Sequence, residues 1–383
     1  MDKYKFLSSK YRDLDDENVT GRPPVEYDDL INLSIGDPDI PTPKVIIDRA
    51  FKDAYDGHTK YTATRGYPEL RQGIIDFYKA RYNFCVKDEE VFVSTAGNVA
   101  MFLAMQAILD REDEVIILAP YFFPYPNQVK LAGGVPVFVK TTMETGFQID
   151  FEKLEEAVTD RTKAIIINTP NNPTGVVYTD ETMQKLADFA IRHDLIVAAD
   201  DIYTSFVYEG TFRPICTFPG MRERTITVNS FSKNFIMTGF RVGNIIAPDY
   251  VIKVIENINE NVVYTAPALS QRAAIHGVEH FDEFERDIVN TFRQRVEYAR
   301  ERLAKIPYVD VLPVQGSFYI FPSIKKTGLT SRQFAKKLYE ERHIRVIPGA
   351  AFGPGGEYHI RISCTLGLDK LKEAFDRMEK IEF

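Results

Sequence analysis

The sequence predicts an α/β protein with one large, mostly parallel seven-stranded sheet and a smaller α/β domain. Three observations carry that prediction. The 383 residues, 44% of them hydrophobic, are enough for two compact domains. Short β-branched runs alternate with longer helical patterns along the chain. Several of those runs are apolar at successive positions instead of alternating, as strands covered by helices on both faces must be.

Taken in order, the seven runs are VFVS (91–94), VIIL (115–118), VPVFV (135–139), AIIIN (164–168), LIVAA (195–199), TITVN (225–229) and GNIIA (243–247). Helical stretches such as NVAMFLAMQAIL (98–109) and DETMQKLADFAIRH (180–193) provide their cover. Before them, the first 30 residues hold few apolar runs and an RPP at 22–24, so they read as an arm. After about residue 275 a long charged amphipathic stretch, FDEFERDIVNTFRQRVEYARERLAKI, leads into a separate unit.

Composition narrows the function. Lys plus Arg number 47 against 55 Asp plus Glu, a net charge of −8, which disfavours nucleic-acid and anionic-membrane partners and favours small-molecule chemistry. Cys85, Cys216 and Cys364 lie far apart, so neither a disulfide framework nor a cysteine metal site is expected. The N-terminus is charged where a signal peptide would be apolar, and no run approaches the ~20 apolar residues of a membrane helix, so a cytoplasmic location is expected. Tryptophan is absent, and any flat apolar surface must therefore come from Phe or Tyr.

Chemistry concentrates between and just after the strands. In Ser230 to Gly243 (SFSKNFIMTGFRVG), the amine of Lys233 can condense with an aldehyde, Arg241 offers a planar fork to a phosphate, and Ser230 can add a hydroxyl. Asn171-Asn172-Pro173-Thr174-Gly175 follows the run AIIIN, at the carboxyl end where open α/β sheets place ligands; taken alone it is also a good turn. Asp200 ends the run LIVAA, with Asp201 and Tyr203 close behind; Asp201 reads as a turn former or helix cap. Ser94 to Ala100 turns from strand to helix, where free amides and a positive helix end suit an anion. Arg361, in the short strand YHIRISC, is a rigid fork suited to a carboxylate.

Together these segments resemble the class I and II aminotransferases, fold-type I enzymes dependent on pyridoxal 5′-phosphate, and the matching motifs run in family order from residue 33 to residue 367. The resemblance implies a transaminase of the aspartate/aromatic/alanine subgroup that moves an amino group from an L-amino acid to a 2-oxo acid through a Schiff base on Lys233. It implies that Asp200 pairs with the pyridine nitrogen while Asn172 and Tyr203 bond the ring oxygen. Gly97, Asn98 and Val99 would donate backbone amides to the phosphate beside Ser230 and Arg241. Phe122, where many relatives carry Trp, would cover one face of the ring. Gly36 would lie along the substrate, and Arg361, with Asn172, would take its α-carboxylate. Tyr61 would reach the phosphate of a neighbouring subunit, which implies a homodimer with shared sites.

The organisation expected is an arm with part of the small domain over 1–45, a large cofactor-binding domain over 46–280 and a small domain over 281–383. Arg22, Lys60 and Arg65 are candidate cations for an acidic substrate side chain; Ile35, Phe122, Phe123 and Tyr125 would equally suit an apolar or aromatic one. A carbon–sulfur β-lyase or other eliminating enzyme on the same scaffold is the alternative, followed by a catalytically silent regulatory relative.

Overall fold

The computed structural model describes Phe6, Ser8 and residues 27–383. The arm read over the first 30 residues, Arg22 included, falls almost wholly outside the described residues.

Twelve strands are present among them: β1 (Ile31–Asn32), β2 (Val91–Ser94), β3 (Glu114–Ala119), β4 (Val135–Lys140), β5 (Thr162–Asn168), β6 (Ile196–Asp200), β7 (Thr225–Ser230), β8 (Gly243–Ile246), β9 (Tyr319–Ile320), β10 (Ile344–Arg345), β11 (Ile347–Pro348) and β12 (Ile360–Ser363). Seven of them, β2 to β8, form the large sheet in the order β2-β8-β7-β6-β5-β3-β4. Its β7-β6-β5-β3-β4 ladder is parallel, and β8 alone runs against its two neighbours. All seven sequence runs are strands, and the fold is the α/β arrangement expected.

The unbroken apolar runs have a direct cause in packing. In β5, Ala164 and Ile166 face a cluster with Ala100, Met101 and Leu103 of the helix Ala96–Ile108. Ile165 and Ile167 face the opposite cluster with Met183, Leu186 and Phe189 of the helix Asp180–Arg192. Both faces of the strand are buried, so neither position can be polar.

Strand direction assembles the site. Because β2, β3, β5, β6 and β7 point the same way, Ser94, Ala119, Asn168, Asp200 and Ser230 all end at one edge of the sheet. β8 enters from that edge, and its first residue, Gly243, pairs with Ser94 on one side and Ser230 on the other. Segments far apart in sequence thus share one rim.

A second set of elements closes over this rim. β1 pairs in parallel with β10, tying Ile31 to Ile344. β12 lies between β11 and β9 in an antiparallel sheet. The helix Phe281–Leu303 buries Phe292, Val296, Ala299 and Leu303 in a cluster with Ile320, Ile360 and Phe375. Its buried Arg295 is ion-paired with Asp39 at 2.7 Å and donates to the carbonyl of Thr365 at 2.7 Å, anchoring the loop after β1.

Candidate active site

A cavity of about 400 Å³ opens at the rim, bounded by the loop after β1 and by β9, β11 and β12. Asp200 forms its floor. As the last residue of β6 it pairs with Asn168 on one side and Val228 on the other, so its backbone is fixed by the ladder. One carboxylate oxygen accepts from the hydroxyl of Tyr125; the other, Oδ1, is buried with no partner among the described residues. Burial pushes the Asp200 carboxyl up to about 6, against the hydrogen bonds from Tyr125 and the Ile202 amide. A cationic N–H donor at Oδ1 would reverse that shift.

The loop after β5 is pinned to the same residue. The Asn168 side chain donates to the Asp200 carbonyl at 2.8 Å and accepts from the Asn172 amide at 2.8 Å. The carboxamide oxygen of Asn172 accepts from Arg361 Nη1 at 3.0 Å, so its –NH2 end is the one left for the cavity.

At one end of the cavity, Gly97, Ser230, Ser232 and Arg241 come together. A Cβ at Gly97 would lie 2.7 Å from Ile202 Cδ1, so any larger residue there would have to displace the end of that side chain. The Ser230 hydroxyl donates to that of Ser232 at 2.9 Å, and Arg241 Nη1 donates to the Thr238 carbonyl at 2.9 Å. Three non-glycine residues here hold positive φ: Ala96 at 65°, Ile236 at 54° and Arg241 at 56°. Each costs on the order of 1 kcal/mol, and strain of this kind clusters where a site must be preformed.

Lys233 leaves the short helix Phe231–Asn234, and its Nζ donates to the Gly36 carbonyl on the opposite loop. Its amine is held below the ordinary lysine value. Burial is the main cause, with smaller contributions from Arg361 and Arg241. Tyr203 is buried, and its hydroxyl donates to that of Tyr319 at 3.3 Å. Arg361, on β12, is buried and also donates to the Ser34 carbonyl.

Eleven sequence-predicted residues line the cavity: Gly36, Gly97, Asn98, Phe122, Asn172, Asp200, Tyr203, Ser230, Lys233, Arg241 and Arg361. Two stand apart. Val99 packs its side chain among the apolar residues under the helix, and with the helix starting at Ala96 its amide is the first with a carbonyl four residues back to bond. Tyr61 is 84% exposed and lies with Lys60 in a separate hollow. Arg65 is turned away as well, bonding the Val91 carbonyl at 3.0 Å. Tyr125, read as a substrate-side aromatic, lies beneath Asp200; the next carboxylate, Asp201, does not line the cavity and is buried with one oxygen that has no partner among the described residues. Sequence reasoning missed the contributions of Ser232, Asn168 and Tyr319; only Ser232 sat in a quoted motif, and Asn168 closed a quoted strand.

The profile of the family described as "Aminotransferase class I and II" matches residues 28–378. The chain belongs to that family. An aspartate aminotransferase of Pyrococcus abyssi is 40% identical over 92% of this chain and 92% of its own. Aromatic-amino-acid aminotransferase 2 of Thermococcus litoralis is 39% identical over 92% and 91%. The crystal structure of the aromatic aminotransferase from Pyrococcus horikoshii superposes with a TM-score of 0.90 at 37% identity, covering 92% of this chain and 96% of that one. The enzyme class and the fold-type I architecture read from the sequence are those of this family.

The residues present fit the pyridoxal phosphate used by such enzymes. The lone Asp200 Oδ1 suits a protonated ring nitrogen, the hydroxyls and amides around Gly97 suit a phosphate, and Phe122 offers a ring face.

Proposed function

We propose that this chain is a pyridoxal-5′-phosphate-dependent aminotransferase that moves an amino group from an L-amino acid to a 2-oxo acid, with Lys233 carrying the cofactor. The observation that carries the reading is the buried, unpartnered Asp200 oxygen in the same cavity as a lysine whose burial favours the neutral amine. When bound, the cofactor would supply an electron sink for the charge left at the substrate α-carbon. Asp200 would keep the ring nitrogen protonated, and the Asn172 –NH2 and the Tyr203 hydroxyl, turned from Tyr319, would bond the ring oxygen. Gly97, Asn98, Ser230, Ser232 and Arg241 hold the phosphate, and Phe122 covers the ring. Arg361 grips the α-carboxylate while Gly36 leaves room beside it. Lys233, whose burial favours the neutral amine, removes and returns the α-proton.

Tyr61 serves the phosphate of a second copy, in a cytoplasmic homodimer with no nucleic-acid or membrane partner; its exposure outside its own cavity supports this. No helix of the described residues is long and apolar enough to cross a membrane. Among the described residues the cations that line the cavity are Lys233, Arg241 and Arg361, all with roles above. The rest of the wall includes Ile35, Phe122, Phe123 and Ile347, which supports a donor with an apolar or aromatic side chain. The test is a donor panel with 2-oxoglutarate and pyruvate as acceptors. Phenylalanine, tyrosine and leucine are expected to yield their 2-oxo acids ahead of aspartate. Absence of transfer with every donor overturns the reading, and pyruvate and ammonia released without an acceptor would mark an eliminating enzyme.

A further inference from the structure

Tyr319 lines the cavity without a role in the proposed chemistry, yet it contacts Arg361, Tyr203 and Gly36. Its ring is buried, with the Arg361 guanidinium carbon 4.4 Å from the ring centroid. The Phe352 ring lies 5.1 Å from the same carbon. Strand pairing explains the contact. Tyr319 on β9 is opposite Ser363 of β12, and Arg361, two residues earlier on β12, shares a face with Ser363, so Tyr319 is its diagonal cross-strand neighbour. The tyrosine is itself locked. Its hydroxyl accepts from Tyr203 at 3.3 Å, and a Cβ at Gly36 would lie 1.8 Å from the hydroxyl oxygen, so the backbone at Gly36 presses directly on it.

Arg361 needs such support. Its Nη1 and Nη2 are engaged by Asn172 and Ser34, but its buried Nε has no partner among the described residues, so the rings beside it add to two hydrogen bonds in holding the fork. A planar guanidinium on an aromatic face is held flat, and burial strengthens the attraction.

We propose that Tyr319 is a positioning residue whose ring, together with that of Phe352, fixes the plane of Arg361 for bidentate binding of the substrate α-carboxylate. The inference rests on the role proposed for Arg361, and the test separates the two. Holoenzyme is prepared as wild type, Tyr319→Phe, Tyr319→Leu and Tyr319→Met. Affinity is measured by calorimetry for two unreactive carboxylates, 3-phenylpropionate and succinate, alongside kcat and KM for the best donor. Phe keeps the ring; Leu and Met remove it. The ringless variants are expected to weaken binding of whichever carboxylate the wild type takes, and to raise KM, by about tenfold, with kcat within about threefold. Tyr319→Phe is expected to stay within about twofold of wild type on all three. If one ringless variant fails to fold, the other decides. A folded ringless variant that binds carboxylate as tightly as wild type overturns the proposal, as does a Tyr319→Phe variant as weak as Leu. Wild type that takes up no cofactor or binds neither carboxylate defeats the functional reading itself.

Discussion

Asp200 and Arg361 carry buried charges into the same cavity, but the protein holds them in opposite ways. Asp200 is the last residue of a strand paired on both sides, with Tyr125 beneath one oxygen and Asn168 bonded to its carbonyl. Arg361 lies in a short three-stranded sheet, where its guanidinium is set by side chains and loop carbonyls: Asn172, Ser34 and the rings of Tyr319 and Phe352. The floor is fixed by backbone ladders, the wall by side-chain contacts. Floor residues should therefore govern the chemical step, and wall residues the grip on substrate.

Asp200→Asn breaks this comparison most severely if it is wrong. We expect kcat to fall about 10²- to 10³-fold with little change in KM, read in steady-state assays of cofactor-loaded protein. The same variant should stabilise the cofactor-free protein near pH 7. The sign follows from the raised carboxyl: the native state binds the extra proton between the unfolded value of 3.8 and about 6, so wild-type stability falls as pH rises through that window. Asn removes the buried charge, giving a gain of about 3 kcal/mol at pH 7 that vanishes below pH 4, measured by urea unfolding at both pH values.

Arg361→Gln should do the reverse in activity, raising KM for the donor about 10²-fold while kcat changes less. Equal losses in kcat for both variants would erase the distinction between floor and wall. Tyr125→Phe is the finer probe. It removes the hydroxyl that Asp200 accepts from, leaving a buried acceptor without its donor, and should lower kcat about tenfold with KM unchanged.

The same contrast decides what the sequence could reveal. Floor and phosphate-end residues sit in contiguous segments at strand ends, so Lys233, Asp200, Asn172 and Gly97 were legible from local pattern, as were all seven large-sheet strands. The wall comes from two- and four-residue strands and a loop near residue 34, too short for periodicity to register. Tyr319 meets Arg361 through a diagonal relation that exists only after β9 and β12 pair. Tyr125 was misplaced because an aromatic in an aromatic-rich turn gives no sign of which way it faces; its hydroxyl finds the one carboxylate beneath the cavity. Val99 lies off the cavity because the helix begins at Ala96, two residues before the stretch read from the sequence.

The central claim is that Lys233 is the lysine that carries the cofactor. Incubating the protein with pyridoxal phosphate, reducing with borohydride and mapping the modified peptide by mass spectrometry tests it directly. The account predicts the added cofactor mass on the peptide bearing Lys233, and its disappearance in Lys233→Ala; stoichiometric modification of a different lysine, or an undiminished adduct in the variant, would contradict it.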